Sequence, residues 1–320
     1  MNKKILIWGL ALAIFLPACS TGARNQSETS TLRIAALPII DTLPMYVALQ
    51  EGLFSEQGIN VELVPVASAP ERVQLVTAGQ VDGVINETLV VMLFNQETIQ
   101  LQVVRYALRP TPGHGHFFIL ASGESGITDV EGLKRVQIGV SEGTVIEYVT
   151  DRLLQDANFS SDEIRIIAVP RISDRMSLLA TGELKAGVMP DPLASLAVQQ
   201  GSVNIIDDSN YPEYGFSVIS FRKEVIDNNP DAVRSFLAAI EEATVLVNDD
   251  PEKYKSILSE QGILPSNLQD TYQIPPFPTA GVPSESEWTD AMLWLQEKGL
   301  LNINISYSDS VNPSLLPDHD

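Results

Sequence analysis

From residue 32 onward, short apolar runs alternate along the chain with segments whose apolar residues recur at helical spacing. Leu32–Ala36 is the first such run, and its length is typical of a buried strand. Pro44–Glu51 then reads as a helix, with Asp41 or Thr42 as its cap and Gly52 as its stop. This order places the polar loop at the carboxyl end of a strand, where open α/β sheets bind ligands.

The same alternation predicts strands and helices as far as residue 221. The predicted strands are Val61–Val66, Val81–Ile85, Leu101–Tyr106, Phe117–Ala121, Val136–Val140, Ile164–Val169, Ala186–Met189, Val203–Asp207 and Phe216–Phe221. Gly79–Ile85 and Gly182–Met189 share a glycine, an acid or amide and a small-residue strand, a sign of two related halves.

Helices replace this alternation after residue 221. Asp231–Asn248, Pro251–Gln261 and Ser284–Lys298 are the predicted helices, and apolar residues form a stripe along the first of them. Capping residues predict further helix starts at Ser68, within a Ser-x-x-Glu box, and at Ser173. We expect the rest of the C-terminus to be an irregular tail.

The first eighteen residues have the pattern of a secretory signal peptide. Lys3 and Lys4 precede the apolar run Ile5–Leu16, which is too short to span a bilayer comfortably. Leu16–Cys19 is similar to the bacterial lipobox, so we expect lipidation of Cys19 and a lipid-anchored, flexible tether over residues 19–31. Cys19 is the only cysteine, and this excludes a disulfide within the chain.

The net charge limits the classes of partner. It is −21 for the whole sequence and becomes −23 once Lys3 and Lys4 leave with the signal peptide. So acidic a chain is unsuited to nucleic acid and to direct adsorption on anionic lipid.

The segment Leu43–Ala48, followed by Glu51–Phe54 and Gly58–Glu62, resembles the opening of ABC-transporter substrate-binding proteins for nitrate, sulfonate and thiamine-pyrimidine precursors. The resemblance implies an α/β, two-lobe periplasmic-binding-protein fold of type II. Each lobe would be a mixed, mostly parallel sheet flanked by helices, with the ligand in the cleft between the lobes.

The resemblance also implies how the chain is divided. Lobe 1 would combine residues 32–116 and 217–305, lobe 2 would be residues 117–216, and residues 306–320 would form the tail. The two crossover segments would be Phe117–Ala121 and Gly215–Phe221.

Polar and aromatic residues near the predicted strand ends are the candidate ligand contacts. In lobe 1 they are Asp41, Thr42, Tyr46, Asn86 and Glu87, and in lobe 2 they are Ser141, Gly143, Thr144, Tyr148, Asp191 and Phe216. Each has a structural alternative, because capping, turn formation and core packing use the same residue types. His114 and His116 have no third metal ligand nearby, so we expect them at a hinge or cleft rim rather than in a metal site.

These observations predict an extracytoplasmic, lipid-anchored solute-binding protein of an ABC importer, a monomer without catalytic residues, metal or other cofactor. Its expected partners are a small-molecule ligand, the permease and ATPase subunits, and the membrane that holds the anchor on the periplasmic or outer face. Asp41, Glu87 and Asp191 favour a neutral or cationic nitrogen-containing ring, such as a pyrimidine vitamin precursor or a flavin. Sulfonates and nitrate are less favoured, because we expect no arginine at a strand end, with Arg105 and Arg171 as the two exceptions.

Two other classes of function stay open. The first is an enzyme that converts a pyrimidine precursor, although eukaryotic relatives with that activity carry a cysteine cluster that this chain lacks. The second is a sensory ectodomain, although no kinase or second membrane span is attached.

Overall fold

The computed structural model describes residues 30–317, which form two α/β lobes on either side of a cleft. The predicted signal peptide, Cys19 and the tether up to residue 29 lie outside the described residues. The first strand begins at Thr31, and the Ser30 carbonyl accepts a hydrogen bond of 2.9 Å from the Asn60 amide. The two last residues assigned to the tether therefore belong to lobe 1.

Ten strands in the described part of the chain form two five-stranded sheets. They are β1 (Thr31–Ala36), β2 (Asn60–Pro65), β3 (Gly83–Asn86), β4 (Leu101–Leu108), β5 (Phe117–Ala121), β6 (Gln137–Val140), β7 (Arg165–Ala168), β8 (Ala186–Pro190), β9 (Val203–Asp207) and β10 (Ser217–Arg222). The lobe 1 sheet has the order β2-β1-β3-β10-β4, and the lobe 2 sheet has the order β7-β6-β8-β5-β9.

The two sheets have the same plan. In each, the first three strands are parallel, and the fourth pairs antiparallel with both of its neighbours. This confirms the predicted pair of mixed sheets and gives every strand of lobe 1 a counterpart in lobe 2.

Helices cover the sheets and fill the C-terminal part of lobe 1. They are α1 (Leu43–Gln50), α2 (Leu53–Glu56), α3 (Ala69–Thr77), α4 (Thr88–Phe94), α5 (Val145–Asp156), α6 (Ile172–Ala180), α7 (Leu193–Gln199), α8 (Lys223–Asn228), α9 (Pro230–Asp249), α10 (Pro251–Glu260), α11 (Glu285–Glu297) and α12 (Tyr307–Ser310). Short 3-10 turns lie at residues 40–42, 131–133, 266–268 and 313–315. Of the described helices, none is both long and apolar enough to cross a membrane.

Local sequence signals set most helix ends. Ser68 accepts a hydrogen bond from the Glu71 amide at the start of α3, and Gly52 ends α1 with a positive φ of 79°. Two predicted capping contacts are wrong. Thr42 does occupy the N-cap position of α1, but its side chain makes no capping hydrogen bond there, and α6 begins at Ile172, ahead of Ser173.

The two predicted crossover segments are wrong by a few residues. Phe117–Ala121 is β5, inside the lobe 2 sheet, and Ser217–Arg222 is β10, inside the lobe 1 sheet. The chain instead crosses between lobes through residues 109–116 and 208–216. Apolar extended runs have to pair within a sheet to satisfy their backbone groups, so the polar stretches before them are left to form the connections.

Helix α11 belongs to lobe 1 and contacts helix α5 of lobe 2. Near its start, Glu287 accepts a hydrogen bond of 2.8 Å from the Tyr106 hydroxyl of lobe 1. Towards its end, the Trp294 indole donates to Asp151 of α5 at 2.8 Å, and Lys298 pairs with the same carboxylate at 2.7 Å. Because Trp294 is buried, this contact with lobe 2 is part of the core rather than a surface bridge.

The C-terminal residues are ordered where an irregular tail was expected. Tyr307–Ser310 is α12, and Val311 forms a parallel bridge with Val103 at the edge of the lobe 1 sheet. Asn95 donates a hydrogen bond of 3.0 Å to the buried Ser310 hydroxyl. Residues up to 317 therefore belong to lobe 1.

Candidate functional site

A cavity of about 550 Å³ opens between the lobes. Residues from both lobes and from the first crossover segment line it, including His114, Phe118, Asp191, Ser195, Thr271 and Tyr272. Cavities of this volume hold small organic ligands. Among the described residues that line the cavity, Asp191 is the one acid, and none is a lysine or an arginine.

Asp191 of lobe 2 and Tyr272 of lobe 1 face each other in this cavity. The Asp191 carboxylate accepts hydrogen bonds from the Ser195 amide at 3.1 Å and the Ser195 hydroxyl at 2.6 Å. Burial still raises the pKa of Asp191, because these two donors only partly replace water. Burial and the nearby Asp191 carboxylate raise the pKa of Tyr272, whose buried hydroxyl lies close to that carboxylate but outside good hydrogen-bond geometry with any described residue.

Two exposed side chains, Gln199 on the cavity wall and Asn267, connect the lobes at a contact that we call the mouth of the cavity. Gln199, at the end of α7, donates to the Asn267 carbonyl at 3.3 Å, and the Asn267 amide donates to the Gln199 side-chain oxygen at 2.8 Å. Exposed amide hydrogen bonds contribute little net stability, so this contact is far weaker than the buried one at α11.

A buried polar cluster joins the two crossover segments beside this cavity. The His116 ring donates from Nδ1 to the Gly215 carbonyl at 2.6 Å, and its Nε2 lies 3.4 Å from the Asp41 carboxylate of lobe 1. Asp208 accepts hydrogen bonds from the His116 amide at 2.6 Å and the Phe117 amide at 3.1 Å.

This cluster contains one cation, His116, between two acids, Asp41 and Asp208. Although burial lowers it, the pKa of His116 rises to about 9 overall, because the Asp41 and Asp208 carboxylates favour the imidazolium. Burial acts to raise the pKa of Asp41, but His116 and the Ser217 hydroxyl outweigh it and leave that pKa below its usual value. Burial raises the pKa of Asp208 to about 7, with His116 opposing the change.

The candidate residues of lobe 1 are engaged within the protein. Asp41 belongs to the crossover cluster, and the Thr42 hydroxyl donates to the Ile39 carbonyl at 2.7 Å. Tyr46 packs against the lobe 1 core. The buried Asn86 accepts a hydrogen bond of 2.8 Å from Ser220, and Glu87 pairs with Arg72 at 3.0 Å.

Four candidates of lobe 2 lie at the start of α5. The Thr144 hydroxyl donates to the Ser141 carbonyl at 2.7 Å and accepts from the Ile146 amide, which makes Thr144 the N-cap. The Gly143 amide already donates to Glu147 at 2.7 Å. Tyr148, one turn further on, donates to Asp290 of α11 at 2.7 Å.

Asp191 alone among the candidate ligand contacts lines the large cavity. Phe216, the remaining candidate, is buried and packs edge-on against Tyr106 with ring centroids 5.3 Å apart. The structure thus brings Asp191 together with Tyr272, a residue that the sequence analysis had not singled out. Its neighbours in that segment are polar and proline-rich, and they carry no signal beyond the composition of a loop.

The sequence was compared with models of known protein families. The model of the NMT1-like family matches residues 25–259, which is most of the chain. This chain belongs to the NMT1-like family. The match covers β1 to α10 and therefore includes both lobes, both crossover segments and Asp191.

Relatives of this NMT1-like protein are named as binding proteins. A Brucella abortus binding protein is 26% identical over 219 residues, an alignment that covers 67% of this chain and 66% of the relative. The chain thus matches just under two thirds of that relative's length. The formylaminopyrimidine-binding protein of Halalkalibacterium halodurans is 21% identical, with 92% of this chain and 96% of the relative aligned.

Solved structures share the fold of this family member. The periplasmic aliphatic sulphonate binding protein SsuA of Escherichia coli superposes with a TM-score of 0.75 at 20% identity, covering 91% of this chain and 95% of that one. The desulfurization enzyme DSZB superposes with a TM-score of 0.70 at 14% identity, covering 89% and 97%. At these identities the likeness establishes the periplasmic-binding-protein fold alone, which hosts both binding proteins and an enzyme.

Three arginines of this family member differ in their acidic partners: Arg105 and Arg171 have one each, and Arg175 has none in the part of the chain that the structure describes. Arg105 is buried against Glu241 at 2.8 Å, and Arg171 is an exposed partner of Asp174 at 3.0 Å, so neither is free for an anion. Arg175 is fully buried in lobe 2, where it donates to the Val188 carbonyl and has no acidic partner within the described residues. Between residues 30 and 317, no group of histidine, cysteine and acidic residues has the arrangement of a metal site.

Proposed function

We propose that this protein is the extracytoplasmic solute-binding component of an ABC importer. It captures a small nitrogen-containing organic solute between its lobes and presents it to a membrane permease and its ATPase. Membership of the NMT1-like family, two lobes with matching sheets, and relatives named as binding proteins support this proposal.

The observation that carries the proposal is the pairing of Asp191 and Tyr272 across the cavity. A buried carboxylate with a raised pKa gains most from a ligand that donates N–H groups to it. The Tyr272 hydroxyl lies beside this carboxylate, makes no hydrogen bond of good geometry within the described residues, and can donate to an acceptor atom of the same ligand. A ring that carries donor and acceptor nitrogens side by side, as aminopyrimidines do, fits both groups.

The alternative is a solute of the sulfonate or nitrate type, which the name of the SsuA structure supports for that protein. The walls of the large cavity carry no lysine or arginine within the described residues, which favours the nitrogen-containing ring there. Catalysis on a pyrimidine precursor has less support, because residues 30–317 contain no cysteine nucleophile.

We also propose that lipidation of Cys19 holds the protein at the membrane. A signal peptide alone would leave it free once cleaved, whereas two or more acyl chains give a stable anchor. The acidic chain would then reach the permease from an anchored tether without binding the anionic lipid surface itself.

Native mass spectrometry of protein purified without denaturation tests the proposed function. We expect an adduct of one small organic molecule per chain, released unchanged when the protein is unfolded. The solute identified in this way is then added back to the emptied protein. Release of a different molecule from the one added would contradict a binding role and favour the enzyme.

A further inference from the structure

The cavity wall that carries Tyr272 is an irregular segment of lobe 1. Residues 271–273 and 275 line the cavity, and no helix or strand of the described structure covers residues 269–284. Because such a segment lacks the hydrogen bonds of a helix or sheet, other groups have to satisfy its backbone. The groups that hold this segment also set the position of Tyr272 relative to Asp191.

Asn248 of α9 binds both backbone groups of Phe277 in this segment. The Phe277 amide donates to the Asn248 side-chain oxygen at 2.8 Å, and the Asn248 side-chain amide donates to the Phe277 carbonyl at 2.8 Å. Residues 275, 276 and 278 are prolines, so Phe277 has the one backbone N–H group between residues 275 and 278. Asn248 therefore provides the pairing that a neighbouring strand would provide in a sheet.

A buried ion pair holds the segment on the C-terminal side of Phe277. Arg105 donates to the Pro278 carbonyl at 2.8 Å, and Glu241 accepts from the Ala280 amide at 2.9 Å. The two side chains also pair with each other at 2.8 Å. Replacing one member would leave the other charge without its partner and destabilise lobe 1, so this pair is unsuited to a test of solute binding.

The wall itself lies between two anchors. Residues 273–276 make no hydrogen bond of their own within the described part of the chain. On one side, the Tyr272 amide donates to the Leu268 carbonyl at 2.8 Å, and on the other side Asn248 holds Phe277. Two consecutive prolines in the stretch between the anchors have a fixed φ, so a displacement of Phe277 is passed on towards Tyr272.

We propose that Asn248 is a positioning residue of the solute site, which holds the segment after Tyr272 so that the Tyr272 hydroxyl stays opposite Asp191. This inference rests on the proposed function, because it takes the cavity between these two residues as the place where the solute binds. Ile274 and Phe277 bury their side chains in the lobe 1 core, and apolar burial is non-directional. The core therefore keeps the segment attached, whereas the contact with Asn248 sets its orientation.

The test compares Asn248→Ala with Asn228→Ala in the full-length protein. Both asparagines are exposed near the end of a helix, and the Asn228 side chain makes no hydrogen bond with the described residues. Hydrogen exchange of the Thr271 and Tyr272 amides is followed by NMR, because neither amide contacts Asn248 directly. In Asn248→Ala we expect exchange at least about fivefold faster at both amides, because the wall opens locally more often. Asn228→Ala should exchange as the wild-type protein does.

The second measurement is affinity for 4-aminopyrimidine, by ligand-detected NMR. We expect binding at least about fivefold weaker in Asn248→Ala, because the wall is no longer preorganised, and wild-type affinity in Asn228→Ala. Melting temperatures should stay within about 2 °C of the wild-type value, since exposed hydrogen bonds contribute little net stability. A merely structural role would lower the melting temperature and leave the affinity of the folded protein unchanged.

Three results would overturn the proposal: wild-type exchange at Tyr272 in Asn248→Ala, wild-type affinity in that variant, or faster exchange throughout lobe 1. Failure of the wild-type protein to bind 4-aminopyrimidine would instead contradict the proposed class of solute. In that case the exchange of Tyr272 still decides whether Asn248 positions the wall.

Discussion

The His116 imidazole lies 3.4 Å from the Asp41 carboxylate and joins the first loop of lobe 1 to both crossover segments. His116 stands at the end of one crossover segment and donates to Gly215 in the other. Gly215 is required here, because a Cβ at this position would overlap the Asp208 carboxylate. Asp41, one of the candidate ligand contacts with a structural alternative, is thus engaged with His116 and Ser217 in this structure.

The His116 cluster makes stability dependent on pH. The pKa of His116 is about 9 in the fold and 6.5 when unfolded, so its contribution is complete below about pH 6.5 and is lost as pH rises towards 9. The groups that face it are Asp41, Asp208, Asp191 and the Gly215 carbonyl. We expect urea unfolding to show a loss on the order of 3 kcal/mol across that range.

His116→Gln should remove most of this pH dependence, since it leaves no titrating ring beside Asp41. The variant should also be less stable at pH 6.5, because Asp41 loses its cation. His114→Gln is the matched control, a histidine two residues away with no place in the cluster, and it should keep the wild-type profile. An unchanged slope in His116→Gln would mean that another group carries the pH dependence.

Glu87 is predicted to act on stability rather than on ligand binding. The Arg72 guanidinium is buried and Glu87 is its one acid, so Glu87→Gln leaves a cation without a counter-charge. Because Glu87 is partly exposed, we expect a loss of about 1–2 kcal/mol in denaturant unfolding. Glu142→Gln, at an exposed position of lobe 2, should change stability by less than about 0.5 kcal/mol. Weaker solute binding in Glu87→Gln at unchanged stability would restore it as a ligand contact.

The cleft is predicted to open at the Gln199–Asn267 contact and to pivot at the contact between α5 and α11. Spin labels at Val198→Cys and Asp270→Cys, in a Cys19→Ser background, span the mouth, and labels at Gln155→Cys and Leu293→Cys span the pivot. We expect solute to shorten the distance between the labels at 198 and 270. The distance between the labels at 155 and 293 should not change, because the buried Trp294–Asp151 hydrogen bond keeps α5 and α11 together. Equal changes in both pairs would mean that the lobes separate as whole bodies.

Cys19→Ser tests the proposed anchor. We expect the variant to leave the membrane fraction while keeping its melting temperature, because the described fold begins beyond this residue. Measurement is by fractionation and immunoblotting, with wild-type protein as the control. A variant that stays in the membrane fraction would show that the signal peptide itself is the anchor.

Apolar runs and helix signals sufficed to predict most strands and helices because these signals are local, whereas the two mixed sheets were predicted from the family resemblance. The same signals could not decide whether an extended run is a strand within a sheet or a connection between the lobes. Phe117–Ala121 and Phe216–Phe221 were correctly predicted as extended, yet each pairs inside a sheet, since the pairing partners lie far away in sequence. Order in the C-terminal tail depends on contacts such as Val311 with Val103, which have no local signature.

The site was less predictable because its residues come from segments that are far apart in the sequence. Asp191 could be proposed from its place after a strand, but Tyr272 becomes its neighbour only when the lobes assemble. Arg175 did have a sequence signal, since Arg72 and Arg175 each stand seven residues before Gly79 and Gly182. A search for single candidate residues overlooks such a repeat.

The most direct test of the account is calorimetric titration of the solute identified by native mass spectrometry into Asp191→Asn protein. The account predicts at least about tenfold weaker binding with little change in melting temperature, because a charge-assisted hydrogen bond to the solute is lost from the cavity wall. Asp174→Asn, at an exposed position of the same lobe, should bind as the wild-type protein does. Wild-type affinity in Asp191→Asn would contradict the claim that the solute is held between Asp191 and Tyr272.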